Sequence, residues 1–152
     1  KVVVTNLGHD IEQGTVVVVT NVLEEPIIKR VIATEGQTVN IDYDTGTVYI
    51  DGEALNETQF GIENGITFHP YDGYEELDEP YARTPTTSKY DVEFPIYVPE
   101  GYIFVLGDNR TVSRDSRYAE IGMIDTRHIM GEAVFTLYPF DRFGFVKTNE
   151  NN

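Results

Sequence analysis

The chain has 152 residues, no cysteine, and 26 acidic against 11 basic residues, a formal charge of −15 at neutral pH. That balance argues against a nucleic-acid binder, which needs a basic surface, and against a polybasic anchor to anionic lipid. Without cysteine there is no disulfide framework and no thiolate metal site, a usage that fits an extracytoplasmic bacterial domain.

Helical periodicity is nearly absent, and short β-branched and aromatic runs alternate with Gly, Pro, Asn and Asp. The chain opens on Lys1-Val2-Val3-Val4, which reads as the middle of a strand and suggests a piece of something longer. Strands are predicted near 1–5, 15–20, 27–33, 38–43, 47–51, 91–98, 102–106 and 131–138. Asp44-Thr45-Gly46 predicts a hairpin with glycine at the positive-φ position, and Asp51-Gly52 marks the next turn. Residues 53–90, with three prolines, several tyrosines and the run Glu75-Glu76-Leu77-Asp78-Glu79, read as an inserted lobe or long excursion. The acidic run reads best as a solvated loop. The β core would then comprise 1–52 and 91–146, with 147–152 a frayed tail. Helical turns are expected only around 114–121 and 125–129. No apolar run approaches the roughly 20 residues of a spanning helix, and no signal peptide is visible.

Several chemistries lack their motifs. His9, His69 and His128 fall at no metal-ligand spacing, and there is neither a phosphate-binding loop nor a GxSxG elbow. The serines are Ser88, Ser113 and Ser116. Asn56-Glu57-Thr58 and Asn109-Arg110-Thr111 match the glycosylation pattern, which short sequences meet by chance.

Two segments carry more. In Ile27-Ile28-Lys29-Arg30-Val31-Ile32, alternation puts Ile27, Lys29 and Val31 on one face. Lys29 is either an edge-strand lysine that snorkels to water or a desolvated general base. Service as a base at neutral pH requires a fall from about 10.4 to about 7–8, roughly 3–4 kcal/mol against the ammonium form. Gly107-Asp108-Asn109-Arg110-Thr111-Val112-Ser113-Arg114-Asp115-Ser116-Arg117 packs two aspartates and three arginines into eleven positions after an apolar run. It is either a solvated loop or a fixed network of bidentate Arg–carboxylate pairs.

Together these segments resemble a known family. Ile28-Lys29-Arg30-Val31-Ile32 with Glu35-Gly36-Gln37-Thr38-Val39 resembles the lysine box of bacterial type I signal peptidases. Gly107-Asp108-Asn109-Arg110, Ser113 and Asp115-Ser116-Arg117 resemble their last conserved box, flanked by Val98-Pro99-Glu100-Gly101-Tyr102 and by Ile129-Met130-Gly131-Glu132-Ala133. Gly14 to Val19 resembles a degraded earlier box in which Gln13 and Thr15 replace the usual Arg and Asp. The resemblance implies a mostly β, antiparallel core with a second lobe, and a membrane-anchored protease that removes signal peptides with a Ser/Lys dyad and no cofactor or metal. Lys29 would be the general base, and Ser113 would hydrogen-bond its amine. Arg30 would pair with Asp108 and Asp115 with Arg117, as scaffold. The strand through Ile27 and Ile28 would line the substrate groove, where an extended signal peptide adds as a strand.

One departure is serious. The family's nucleophile lies in a Ser-Met-x-Pro box after a transmembrane helix, and this sequence contains no Ser-Met and no serine before Ser88. The serine box and helix are therefore expected upstream of Lys1 in a parent at the extracytoplasmic face of the cell membrane. The chain itself is expected to be inactive. If the absent segment normally covers Lys29, its amine is expected to be wet and normally charged here. Two alternatives stay open: a non-catalytic signal-peptidase-like factor, for example in pilus assembly, and a self-cleaving repressor-type peptidase domain, which the 107–117 box and the lack of a DNA-binding segment disfavour.

Overall fold

The structure is a computed structural model and describes residues 2–5, 10–60, 92–110, 113–136 and 144–145. Within these residues lie β1 (Val2–Thr5), β2 (Val16–Val19), β3 (Ile27–Ala33), β4 (Thr38–Asp42), β5 (Thr47–Ile50), β6 (Glu53–Ala54), β7 (Ile96–Tyr97), β8 (Tyr102–Leu106), β9 (Ile124–Asp125), β10 (Ile129–Thr136) and β11 (Gly144–Phe145). One sheet runs β1-β10-β2-β3-β8-β9, with β11 also on β10, and a smaller one runs β6-β5-β4-β7. Every pairing among the described residues is antiparallel. The expected mostly β, antiparallel architecture is what is found, and no described helix is long and apolar enough to cross a membrane.

The turns follow from local chemistry. In the β4–β5 hairpin, Asp42 Oδ1 accepts from Asp44 N at 2.9 Å and Thr45 N at 3.2 Å, and Gly46 takes φ +70°. The backbone then turns at Asp51 and Gly52, both at positive φ. Asp51 Oδ1 accepts from Thr38 N at 2.8 Å, fastening this turn to the start of β4.

The core has two main parts, because the second half of β3 and most of β8 are buried on both faces. Ile32, Ala33, Phe104 and Leu106 pack with Val39, Ile41, Val48 and Ile50 of the small sheet. On the opposite face Val17, Val19, Val31, Ile103 and Val105 pack with Ile121 and Ile124. Each fully buried valine or isoleucine side chain contributes about 1.5–3 kcal/mol.

Some elements differ from expectation. The predicted strand over 91–98 narrows to β7, since Pro95 and Pro99 cannot donate to a ladder. The predicted helical stretch over 114–121 is a series of tight turns, with Tyr118 N donating to Asp115 O and Gly122 N to Tyr118 O. Side chains there satisfy the backbone instead of a helix: Asp115 takes Gly107 N, and Ser116 Oγ takes Val105 N. A 3₁₀ turn does form over Thr126–His128. Residues 53–60, read as the start of the inserted lobe, continue the small sheet through β6 and then form a 3₁₀ turn, Glu57–Phe60. The remainder of that lobe, the acidic run and the tail lie outside the described residues.

Candidate active site

The site begins with the register of β3. Lys29 lies opposite Val17, Ile27 opposite Val19, and Arg30 opposite both Val16 and Leu106. Alternation sends Lys29 and Arg30 to opposite faces. Val17 and Val31, beside Lys29, are fully buried. Burial is the main influence on the Lys29 amine and pushes it below the ordinary lysine value. Asp115 and Asp108 pull it up, while Arg117 and Arg114 add to the lowering. Lys29 itself is half-buried rather than fully wet, with the valine face of β2 covering part of its side chain.

The chain leaves β8 at Gly107, beside Lys29. A Cβ there would overlap Ser113 Oγ and Ser113 Cβ and lie 3.6 Å from Lys29 Nζ. Only glycine lets Ser113 approach this backbone so closely, while the Lys29 amine would meet such a Cβ at ordinary contact distance. The expected hydrogen bond between Ser113 and Lys29 is not made: Ser113 Oγ is buried without a partner, turned against Gly107.

The two expected ion pairs do form. Arg117 Nε lies 2.8 Å from Asp115 Oδ1 and Nη2 3.0 Å from Oδ2, and neither side chain has any exposure. Asp115 Oδ2 also accepts from Gly107 N at 3.0 Å, while Arg117 Nη2 donates to Arg110 O and Ser113 O. Burial opposes the charge on Arg117, yet the hydrogen bond and charge of Asp115 hold it above the usual arginine value. Arg30 meets Asp108 through two bonds of 2.8 and 2.7 Å and donates to Gly14 O at 2.9 Å. The 107–117 stretch is thus an internal network. Ile27 packs on the buried cluster of its face, whereas Ile28 is 45% exposed on the other. The two expected groove residues therefore line opposite faces of one strand.

Sequence reasoning missed the partners supplied by residues 57–60. Glu57 Oε1 lies 2.5 Å from Arg110 Nη1, and the Arg30 guanidinium carbon sits 5.2 Å from the centroid of the Phe60 ring. Glu57 falls only in the chance Asn56-Glu57-Thr58 match and Phe60 in no motif, and both contacts span long sequence distances. Among the described residues no group of acidic or histidine side chains could hold a metal ion.

In chemical terms the arrangement offers one desolvated amine on a strand face beside a rigid polar loop, suited to taking a proton from a hydroxyl placed against it. The model of the family described as signal peptidase, peptidase S26, matches residues 1–138. A probable signal peptidase I-1 of Synechocystis is 34% identical over 80% of this chain and 47% of its own length. A signal peptidase IB of Staphylococcus aureus is 30% identical over 99% of this chain and 75% of its own. The chain thus spans about half of the first relative and three quarters of the second. In fold it is similar to a signal peptidase I from Enterococcus faecalis, with a TM-score of 0.53 at 24% identity, covering 82% of this chain and 97% of that one.

Proposed function

The chain belongs to the signal peptidase family, peptidase S26, and from that premise we propose that it is the catalytic core of a membrane-anchored serine endopeptidase that removes signal peptides from exported preproteins. Lys29 is the general base of a Ser/Lys dyad. The nucleophilic serine comes from a segment that precedes Lys1 in the parent protein, together with an anchoring helix that holds this core at the extracytoplasmic face of the membrane. Lys29 Nζ takes the serine proton as Oγ attacks the scissile carbonyl. When the C–N bond breaks, the Lys29 ammonium returns that proton to the leaving amine. Water then hydrolyses the acyl-enzyme, with Lys29 again taking the proton. The signal peptide lies extended along β3 near Ile27 and Ile28.

The observation that carries this reading is the Lys29 amine, withdrawn from water on the Val17–Val31 face and set against Gly107 and Ser113. Asp115–Arg117 and Arg30–Asp108 hold the surrounding loop. Without the nucleophile the 152-residue chain is inactive. The test uses both forms on a signal-peptide substrate in detergent. The parent cleaves, its Lys29→Met form does not, and the 152-residue chain does not. Cleavage by the short chain, or an unimpaired Lys29→Met parent, would defeat the proposal.

A further inference from the structure

The 3₁₀ turn Glu57–Phe60 has no part in the chemistry above, yet it touches two arginines of the site. Its three-residue pitch puts Glu57 and Phe60 on one side. Both are buried, at 7% and 2% exposure, while Thr58 and Gln59 between them are exposed. Glu57 meets Arg110, whose Nε donates to Gly107 O at 2.9 Å and whose own carbonyl accepts from Arg117 Nη2. Phe60 lies under Arg30, the strand neighbour of Lys29. The turn therefore grips the site at Arg30 and, through Arg110, at the Gly107 backbone that faces the Lys29 amine.

We propose that Glu57 and Phe60 are positioning residues for Lys29, setting how deeply its amine is withdrawn from water. This rests on the reading of Lys29 as the base. The energetics of the pair favour a placing role over a stabilising one. Burial, as the main cause, raises the Glu57 carboxyl above the usual carboxylate value, against the pull of Arg110. A folded-state value above the unfolded one means that stability declines as pH rises through this range. Ionised Glu57 thus costs the fold stability at neutral pH.

The test is a pH titration of the Lys29 side-chain nitrogen by NMR in the 152-residue chain with labelled lysine, the signal assigned by its loss in Lys29→Ala. Glu57→Gln is expected to raise the Lys29 pKa by about one unit, roughly a tenfold loss of neutral amine at a given pH. Phe60→Leu is expected to raise it less. Glu53→Gln, an exposed carboxylate of β6, should leave it unmoved. The direction is diagnostic, since loss of a nearby negative charge alone would lower a lysine pKa, whereas readmitted water raises it. General destabilisation does not move the pKa of molecules that remain folded. An unchanged or lowered value in Glu57→Gln overturns the proposal. If that variant does not fold, an unchanged value in Phe60→Leu overturns it instead. A wild-type Lys29 that titrates as an ordinary lysine would overturn the base reading itself, separately from either variant.

Discussion

Asp115-Ser116-Arg117 and Asp125-Thr126-Arg127 share one spacing and one local geometry. In each, the arginine backbone N–H and side chain both return to the carboxylate two residues earlier. Their surroundings differ. The first pair is wholly buried, while the Arg127 side chain is 84% exposed. The first carboxylate also holds Gly107 N, and its arginine holds the carbonyls of residues 110 and 113. The second caps a single 3₁₀ turn. Arg127 holds the Asp125 carboxyl below the usual carboxylate range, mainly by a hydrogen bond, yet an exposed pair adds little to stability. The same bonds are thus structural in one place and nearly incidental in the other, and what separates them is the number of other groups left stranded when the pair breaks.

The widest separation is expected from removing one partner of each pair. Asp115→Ala strands a buried guanidinium and should cost about 3–5 kcal/mol in denaturant unfolding. Gly107→Ala probes the same loop without touching a charge. The new methyl overlaps Ser113, and overpacking of this kind costs about 1–3 kcal/mol, again read from the unfolding midpoint.

Lys29→Met sharpens the comparison from the other side, because Lys29 is a half-buried cation with no ion-pair partner among the described residues. Its folded-state pKa lies below the unfolded value, so between the two values the unfolded chain binds more protons and stability climbs with pH. At neutral pH the ammonium form therefore weighs against folding. Lys29→Met should raise the midpoint at pH 7 and remove part of the rise in stability toward alkaline pH. The smallest effect belongs to Asp125→Ala, whose midpoint should barely differ from wild type. The ion-pair part of that difference should shrink in 1 M salt, where the screening length is about 3 Å, and should fade as pH falls from the usual carboxylate range through the depressed Asp125 value. Its depressed pKa contributes stability fully above the unfolded carboxylate value, and that contribution is lost as pH falls through the lower folded one.

The reasons for what was legible are specific. Val16–Val19 and Tyr102–Leu106 are continuous apolar runs, and Ile27–Ala33 is one interrupted only by Lys29-Arg30; β-branched and aromatic runs of this length are readable as strands. Thr45-Gly46 and Asp51-Gly52 were readable because positive φ has few tenants. Strands β6 and β9, of two residues each, carry no period to detect. At the site, the two ion pairs within and beside 107–117 followed from the box, but the two Asp-x-Arg motifs are indistinguishable until packing decides which is inside. Glu57 and Phe60 left no signal at all, since their partners lie dozens of residues away and their own neighbours are polar.

The position of β10 has a consequence for the order of assembly. It lies between β1 and β2, although more than a hundred residues separate it from either in the chain. The ladder from β2 through β3 to β8 can be completed earlier in synthesis, whereas the four valines of β2 keep an open edge until residues 129–136 emerge. Such distant closures are slow, because loop entropy must be overcome before any contact repays it. The valine edge therefore stays unpaired from the synthesis of β2 until β10 emerges, and that interval is when self-association is most favoured.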